Sequence, residues 1–378
     1  MASIELREVS KRYGKTAALD AISFSVYDKE FFVLFGPAGA GKTTILKMIA
    51  GIEFADRGAV YMNGGRIDNM EPARRNVAMV FENYALYPHM NVYDNIASPL
   101  RSPLYRQNEE AIREKVSKIA ATMKIDGLAD RMPAQLSNGQ RQRVALGRCL
   151  VRDPNVFLMD EPLAHLDAKL RNLMRTEFKA LQKQLNTTVV YVTHDYMEAM
   201  SLSDRMAIIN KGGIEQIGSP REIYHTPANE FVARLVGEPE INVMSGELER
   251  NGGGFAIKID AIGLSRALPG DLSPALDAFG ENSVDIGIRG SHVSYSFQAG
   301  ECYPIHAKVY NVEPMGNRTT VVAEAGGVRL NVRAPSGCSA EIGQDIWLGL
   351  DIRQSIFFGA KDGRFIARHN PDAAERSA

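Results

Sequence analysis

The stretch EFFVLFGPAGAGKT, from Glu30 to Thr43, limits what this chain can fold into more than any other part of it. Its first half is an apolar run of strand length, the pattern of a strand buried on both faces. Its second half, Gly36 to Thr43, fits the phosphate-loop pattern G-x-x-x-x-G-K-[ST], which works only between a strand and a helix. In such a loop, here Gly36, Pro37, Ala38, Gly39, Ala40 and Gly41, the glycines let backbone N–H groups close around phosphate oxygens, Pro37 having none to give. Lys42 then reaches the outer phosphates, and the Thr43 hydroxyl can ligate magnesium. A glycine-rich turn without a ligand is the ordinary alternative, and the strand-loop-helix context argues against it.

From Ile4 to about Val236 short β-branched or apolar runs alternate with helical patterns, which predicts a mainly parallel sheet covered by helices. VFLM (156–159) and TTVVYVT (187–193) read as further buried strands. Asn108 followed by Glu109 and Glu110 marks a helix start, with Ile112, Val116, Ile119, Ala120 and Met123 at helical spacing. After Leu166 a second helix places Leu170, Leu173, Met174, Phe178, Leu181 and Leu185 on one face, a stripe expected to be core. Past GEPEINV (237–243) the texture changes to short alternating runs such as SVDIGIR (283–289), HAKVYNV (306–312), TTVVAEA (319–325) and DIWLGLD (345–351). The change predicts one domain over 1–236 and a β-rich one over 237–378, a small barrel or sandwich with a frayed tail, NPDAAERSA.

Two further motifs turn a nucleotide-binding loop into a candidate hydrolase. In VFLMDEP an apolar strand delivers Asp160 and then Glu161. The first carboxylate can hold magnesium through its water, and the second, next to the γ-phosphate, can orient the attacking water as a base. LSNGQRQRVALGR (136–148) sits between the phosphate loop and that pair. A helix beginning at Ser137 would aim its N-terminal amides and hydroxyl at an anion.

With these motifs in this order the chain resembles the ATP-binding-cassette ATPases, whose signature is Leu-Ser-Gly-Gly-Gln followed by a basic helix. The resemblance covers the whole first half. It implies a P-loop NTPase core with a parallel-rich sheet and a helical signature subdomain. Tyr13 in KRYGK matches the aromatic on which the family stacks adenine, HLD (165–167) its interprotomer loop, and His194 in VTHD its switch histidine. Mechanistically it implies a head-to-tail dimer with two shared sites. ATP on Lys42, Thr43, Thr44 and the Gly36 loop of one subunit is covered by Ser137, Gly139 and Gln140 of the other. Closure builds the site, Glu161 activates water, and His194 steadies the γ-phosphate.

Two positions depart from the family. At Glu82 the family carries glutamine, which touches magnesium and the attacking water. A carboxylate can still ligate magnesium there but adds negative charge and loses the amide donor. At Asn138 the signature has its first glycine, and asparagine is the residue that best tolerates a positive φ. Departures in complementary half-sites suggest pairing with a related but different ATPase, the alternative being a homodimer. The aromatic loop after Glu82, with Tyr84, Leu86, Tyr87, Pro88 and Met90, corresponds to the region that cups a helix of the membrane subunit, although some of these residues are expected to pack internally.

NYALYPHM, EPLAHLDAKLR and the β-rich tail resemble the ATPase subunits of bacterial carbohydrate importers of the maltose and glycerol-phosphate type. In that branch the tail is an oligonucleotide/oligosaccharide-binding-like (OB-like, TOBE) barrel. The resemblance implies ATP and Mg2+ as cofactors, two transmembrane permease subunits and an extracytoplasmic solute-binding protein as partners, and a peripheral position on the cytoplasmic face of the bacterial inner membrane. GIRGSHV (287–293) departs from the branch pattern Gly-Ile-Arg-Pro-Glu-His, so its regulation is not carried over. The solute is read by other subunits; sugars, glycerol phosphate and polyols including glycerol all fit.

Composition removes competing classes. The 378 residues hold 44 Lys and Arg against 45 Asp and Glu, a net charge of -1, so no electrostatic case for nucleic acid exists. Cys149, Cys302 and Cys338 lack metal-ligand spacing and are expected to be buried small hydrophobes. No leader opens the chain and no apolar run spans a bilayer, so the expectation is a soluble chain whose membrane role comes through a partner. DNA-repair and translation-type cassette ATPases are the alternative, but they separate these motifs with coiled coils or duplicate the cassette. A small-molecule kinase has no use for LSNGQ or the switch histidine. His89 and Trp347 are read as structural.

Overall fold

The computed structural model describes residues 2–81, 84–152, 154–164 and 166–369. They divide into two units, residues 1–220 and 221–378, rather than at 236/237.

The first unit begins with β1 (Ile4–Tyr13), β2 (Thr16–Val26) and β3 (Phe31–Phe35), then α1 (Lys42–Ala50), β4 (Arg57–Met62), β5 (Gly65–Arg66) and β6 (Val77–Val80). A helical stretch follows, with α2 (Val92–Ala97), α3 (Glu109–Thr122) and α4 (Asn138–Leu150). The chain then returns to β7 (Val156–Asp160), α5 (Ala168–Leu185), β8 (Thr188–Thr193), α6 (Tyr196–Leu202), β9 (Arg205–Asn210) and β10 (Gly213–Gly218). One sheet has the order β10-β9-β3-β8-β7-β6 and is parallel except for its β9–β10 edge. Every residue of β3, β7 and β8 is buried, which is why these strands are continuous apolar runs. A second sheet, β2-β1-β4-β5, is antiparallel and was not legible as such in the sequence. The register of β1 against β2 shifts three times, which breaks the two-residue alternation that would announce it. Both sheets share one core with Ile45, Leu46, Met48 and Ile49 of α1.

The helix starts lie where their caps place them. Asn108 accepts from Ala111 N–H ahead of α3, and Ser137 accepts from Gln140 N–H ahead of α4. Met174 and Phe178 of α5 are buried, but Leu173, expected in the same stripe, is 39% exposed because it lies at the edge of that face. The far end of α1 is held by Arg75, a fully buried guanidinium that donates to the carbonyls of Met48 (2.8 Å), Ile49 (3.1 Å) and Met70 (2.9 Å). Cationic donors suit a helix C-terminus. Gly51 closes that helix at φ +80°, and a Cβ there would lie 2.6 Å from Cζ of Arg75.

The second unit opens with α7 (Pro220–His225) and α8 (Glu230–Leu235), followed by β11 (Asn242–Asn251), β12 (Gly254–Ile259), β13 (Leu264–Ala267), α9 (Ser273–Phe279), β14 (Ser283–Ile288) and β15 (Val293–Ser296). It continues through β16 (Ile305–Pro314), β17 (Arg318–Ala325), β18 (Val328–Pro335), β19 (Asp345–Leu350), β20 (Ile356–Gly359) and β21 (Phe365–Arg368). These form two antiparallel sheets, β13-β12-β11-β14-β20-β21 and β15-β19-β16-β17-β18, over one apolar core that includes Ile257, Ile286, Val321, Leu330 and Phe357. The arrangement is the OB-like half-barrel expected of the tail. The two leading helices belong here because buried Arg289, just after β14, donates to the carbonyls of Val236 (2.5 Å) and Tyr224 (3.0 Å).

The expected burial of all three cysteines needs correction. Cys149 is buried and its Sγ lies 3.3 Å from the Met79 carbonyl, whereas Cys338 is half-buried and Cys302 is exposed. The last two sit on loops of the second unit rather than in a strand or helix core. His89 is exposed beside Tyr87, and half-buried Trp347 lies against His306. No helix among the described residues is long and apolar enough to cross a membrane.

Candidate active site

Three neighbouring strands of the parallel sheet, β3, β8 and β7, end side by side, with Phe35 opposite Thr193 and Val192 opposite Asp160. Each hands the chain to a candidate functional group at its carboxyl end, where ligands of open α/β sheets bind. β3 runs into the phosphate loop, β8 into His194, and β7 into Asp160 and Glu161.

The loop is built for close approach. Gly41 caps α1 at φ +104°, and no side chain occupies the helix N-terminus as a cap. No acidic residue lies in the first turn, so the positive end of the helix faces the loop unopposed. Lys42 is buried and donates to the carbonyls of Gly36 and Pro37, both at 2.9 Å. Burial pushes its ammonium below the ordinary lysine value, while the charges of Glu161 and Asp160 act in the opposite sense.

Thr43 donates through its hydroxyl to Oδ1 of Asp160 at 2.9 Å, and Asp160 is 4% exposed. Two hard oxygen donors fit magnesium, which keeps several waters and takes few protein ligands. The next carboxylate, Glu161, sits in the left-handed region at φ +46°, pinned by its N–H to the Val192 carbonyl at 3.1 Å. Non-glycine residues pay about 1–3 kcal/mol for such a conformation and keep it chiefly where surrounding structure demands it. Its Oε2 lies 2.8 Å from Nδ1 of His194.

Tyr13, Pro37, Ala38, Gly39, Gly41, Lys42, Thr43, Thr44, Glu161 and His194 line one cavity of about 680 Å³. Tyr13 is 46% exposed at its rim, with the Lys11 ammonium over its ring. Gly36 contributes through its carbonyl on Lys42, and Ala40 is buried beneath the loop. Ser137, Gly139 and Gln140 are not among the lining residues. They form the start of α4, where Ser137 is exposed and Gly139 and Gln140 are half-buried, and Gln140 accepts the Ser137 N–H at 2.9 Å in a reciprocal capping box. Asn138 is the first helical residue and does not adopt a positive φ, so the backbone itself makes no demand for glycine there. Glu82 and His165 lie outside the described residues.

The aromatic loop divides as its residues suggest. Tyr84 is buried and Leu86 and Met90 are half-buried, while Tyr87 and Pro88 are exposed. Asn95 fixes the loop on α2 by donating to the carbonyls of Tyr87 (3.1 Å) and Met90 (2.9 Å). Beside it a groove of about 570 Å³ is lined by Phe81, Tyr87, Leu104, Tyr105, Arg148 and Arg152 among others.

Sequence reasoning passed over Arg171, Asp195 and Glu198. Asp195 caps α6 by accepting from Met197 and Glu198 N–H. The spacing Asp-x-x-Glu in HDYME announces that cap, but it does not announce that Glu198 turns inward to accept from Tyr191 and Thr193 hydroxyls, both at 2.8 Å.

Residues 19–164 match the family described as ABC transporter. Over 373 residues the chain is 39% identical to the sn-glycerol-3-phosphate import ATP-binding protein of Vibrio cholerae, which covers 97% of this chain and 96% of that one. Over 365 residues it is 40% identical to an ABC transporter ATP-binding protein of Bacillus subtilis, covering 96% and 98%. A dimeric ATP-binding cassette in a post-hydrolysis state, bound to ADP and Pi, superposes with a TM-score of 0.54 at 27% identity, over 58% of this chain and 99% of that chain.

Proposed function

The chain belongs to the ATP-binding subunits of the ABC transporter family, and from that premise we propose that it is the ATPase of a bacterial importer. The solute class is a sugar, glycerol phosphate or a polyol such as glycerol, supported by the import proteins of the same length to which it is similar. The observation that carries the reading is one cavity lined by the phosphate loop, Thr43 and the Glu161–His194 pair, with buried Asp160 joined to it through the Thr43 hydroxyl.

Each group then has a task. Tyr13 offers a ring face to the adenine, and the loop amides with Lys42 hold the phosphates. The negative phosphates offset the burial that depresses the Lys42 ammonium. Thr43 and Asp160 would hold magnesium, which when bound would supply neutralisation of the phosphate charge. Glu161 orients a water and accepts its proton as the water oxygen bonds to the γ-phosphorus and the bond to the bridging oxygen breaks. His194, fixed by Glu161 through Nδ1, leaves Nε2 for the γ-phosphate.

The start of α4 stands apart from the cavity, which supports a site completed by Ser137, Asn138, Gly139 and Gln140 of a second ATPase, either a copy or a related chain. Glu82 enters the same reading as a further magnesium contact. The groove beside Tyr87 suits a helix of a permease subunit, with two such subunits and an extracytoplasmic solute-binding protein completing the importer. On this reading the chain sits peripherally on the cytoplasmic face of the inner membrane.

The test is magnesium-dependent ATP hydrolysis by the purified chain at rising protein concentration, with Glu161→Gln as the comparison. Turnover per chain is expected to rise as dimers form, and the variant is expected to bind ATP while losing about a hundredfold or more of the rate. Equal turnover by the variant, or ATP bound with no turnover even beside the permease subunits, would sink the reading.

A further inference from the structure

Behind the Glu161–His194 pair lies a second, far smaller cavity of about 40 Å³, bounded by Glu161, Arg171, Thr193, His194, Asp195 and Glu198. It is polar, and a volume of roughly 10–15 Å³ already accommodates one water molecule. Three segments meet there through a single side chain. One terminal nitrogen of Arg171 donates to the Leu166 carbonyl at 3.2 Å, in the segment that follows the reactive carboxylate. The other lies 3.5 Å from the Asp195 carboxylate, beside His194. The Arg171 Nε is buried and has no hydrogen-bond partner among the described residues. Buried guanidinium N–H groups are rarely left unpaired.

Glu198 faces the same space. It is 3% exposed, and its two hydroxyl donors, Tyr191 and Thr193, both engage one carboxylate oxygen, Oε2. Neither Arg171 nor Glu198 lines the nucleotide cavity.

We propose that this cavity holds an ordered water bonded by Arg171 Nε, Glu198 and Glu161, and that Arg171 and Glu198 are positioning residues which set the Glu161–His194 pair. Neither touches a reacting atom. Arg171 links the Leu166 segment to the loop carrying His194, so displacement of one moves the other, and the water joins both to the carboxylate. The inference rests on the reading of Glu161 as the group that orients the attacking water.

The test uses the full chain with Glu198→Gln and Arg171→Lys. Glutamine keeps an acceptor for Tyr191 and Thr193 but replaces the other oxygen with a donor, and lysine keeps a charge for Asp195 but has no Nε–H in that place. Burial pushes the Glu198 carboxyl above its ordinary value, so the neutral side chain is not expected to lower the melting temperature. Both variants are expected to lose about tenfold or more in kcat, with KM and the affinity for a non-hydrolysable ATP analogue within about twofold. A high-resolution crystal structure of the wild-type chain is expected to show a water within hydrogen-bond distance of Arg171 Nε. Unchanged kcat in both variants, or losses that simply follow the unfolded fraction, overturns the positioning role. A dry cavity overturns the water. Diffraction reads that water without any turnover, so an inactive wild-type chain would count against the ATPase reading alone.

Discussion

At Gly41 one added carbon atom would collide with the fold. A Cβ there would lie 2.5 Å from the Ala18 carbonyl oxygen and 2.7 Å from Leu19 Cδ2, in a backbone conformation that other residues rarely adopt. Gly41→Ala is expected to cost about 1–3 kcal/mol from the backbone conformation alone, and to weaken ATP binding because the loop amides shift with it. Urea unfolding and nucleotide titration check both. Glu198 makes a prediction about pH. Its carboxyl is raised from the ordinary 4.5, first by burial and against the hydroxyls of Tyr191 and Thr193, with Asp195 raising and Arg171 lowering it. Between that ordinary value and the raised one, the folded chain binds the proton that the unfolded chain has released, so stability falls as pH rises through this window. Unfolding of wild type and Glu198→Gln at pH 4.5 and at neutrality is therefore expected to show the wild type losing ground to the variant at the higher pH. A constant difference would place the cost elsewhere.

Among the elements, α4 is stabilised at its start by a capping box that is also the surface offered to a partner. Ser137→Ala removes the acceptor for Gln140 N–H and is expected to cost about 0.5–2 kcal/mol. It is also expected to reduce turnover while ATP binding to the single chain is unchanged, as a fluorescent nucleotide would report. Such caps were legible in the sequence. Asn108 and Ser137 start their helices where the sequence places them, and β3, β7 and β8 were readable because burial on both faces leaves runs that are apolar except at their ends. The sheet around β1 was not, because its register shifts scramble the alternation. Asn138 was misread in one respect: the first helical position needs no positive φ, so its departure from glycine concerns the surface presented and not the backbone. Arg171 and Glu198 were invisible because their significance lies in which buried atoms they meet, and local spacing carries no trace of that.

On the scale of the whole molecule, the nucleotide cavity is lined entirely by the first unit. A chain ending after Pro220 is expected to bind ATP with unchanged affinity, measured by calorimetry. One ending at Val236 would carry two helices whose carbonyls lack Arg289, and it is expected to lose those helices to proteolysis. The texture of the sequence suggested 236/237 as the boundary because α7 and α8 continue the α/β rhythm. A buried guanidinium more than fifty residues away in the chain, bonded to Val236, assigns them to the β-rich unit instead.

Arg75 and Gly51 have a consequence for how this sequence can change over generations. The guanidinium that grips the end of α1 occupies the space into which any side chain at 51 would grow. A side chain at 51 is expected to require displacement of the arginine, and losing the arginine first removes a donor from the four carbonyls of Met48, Ile49, Asp68 and Met70. Neither single step is expected to be neutral, so the two positions are expected to change together although 23 residues lie between them.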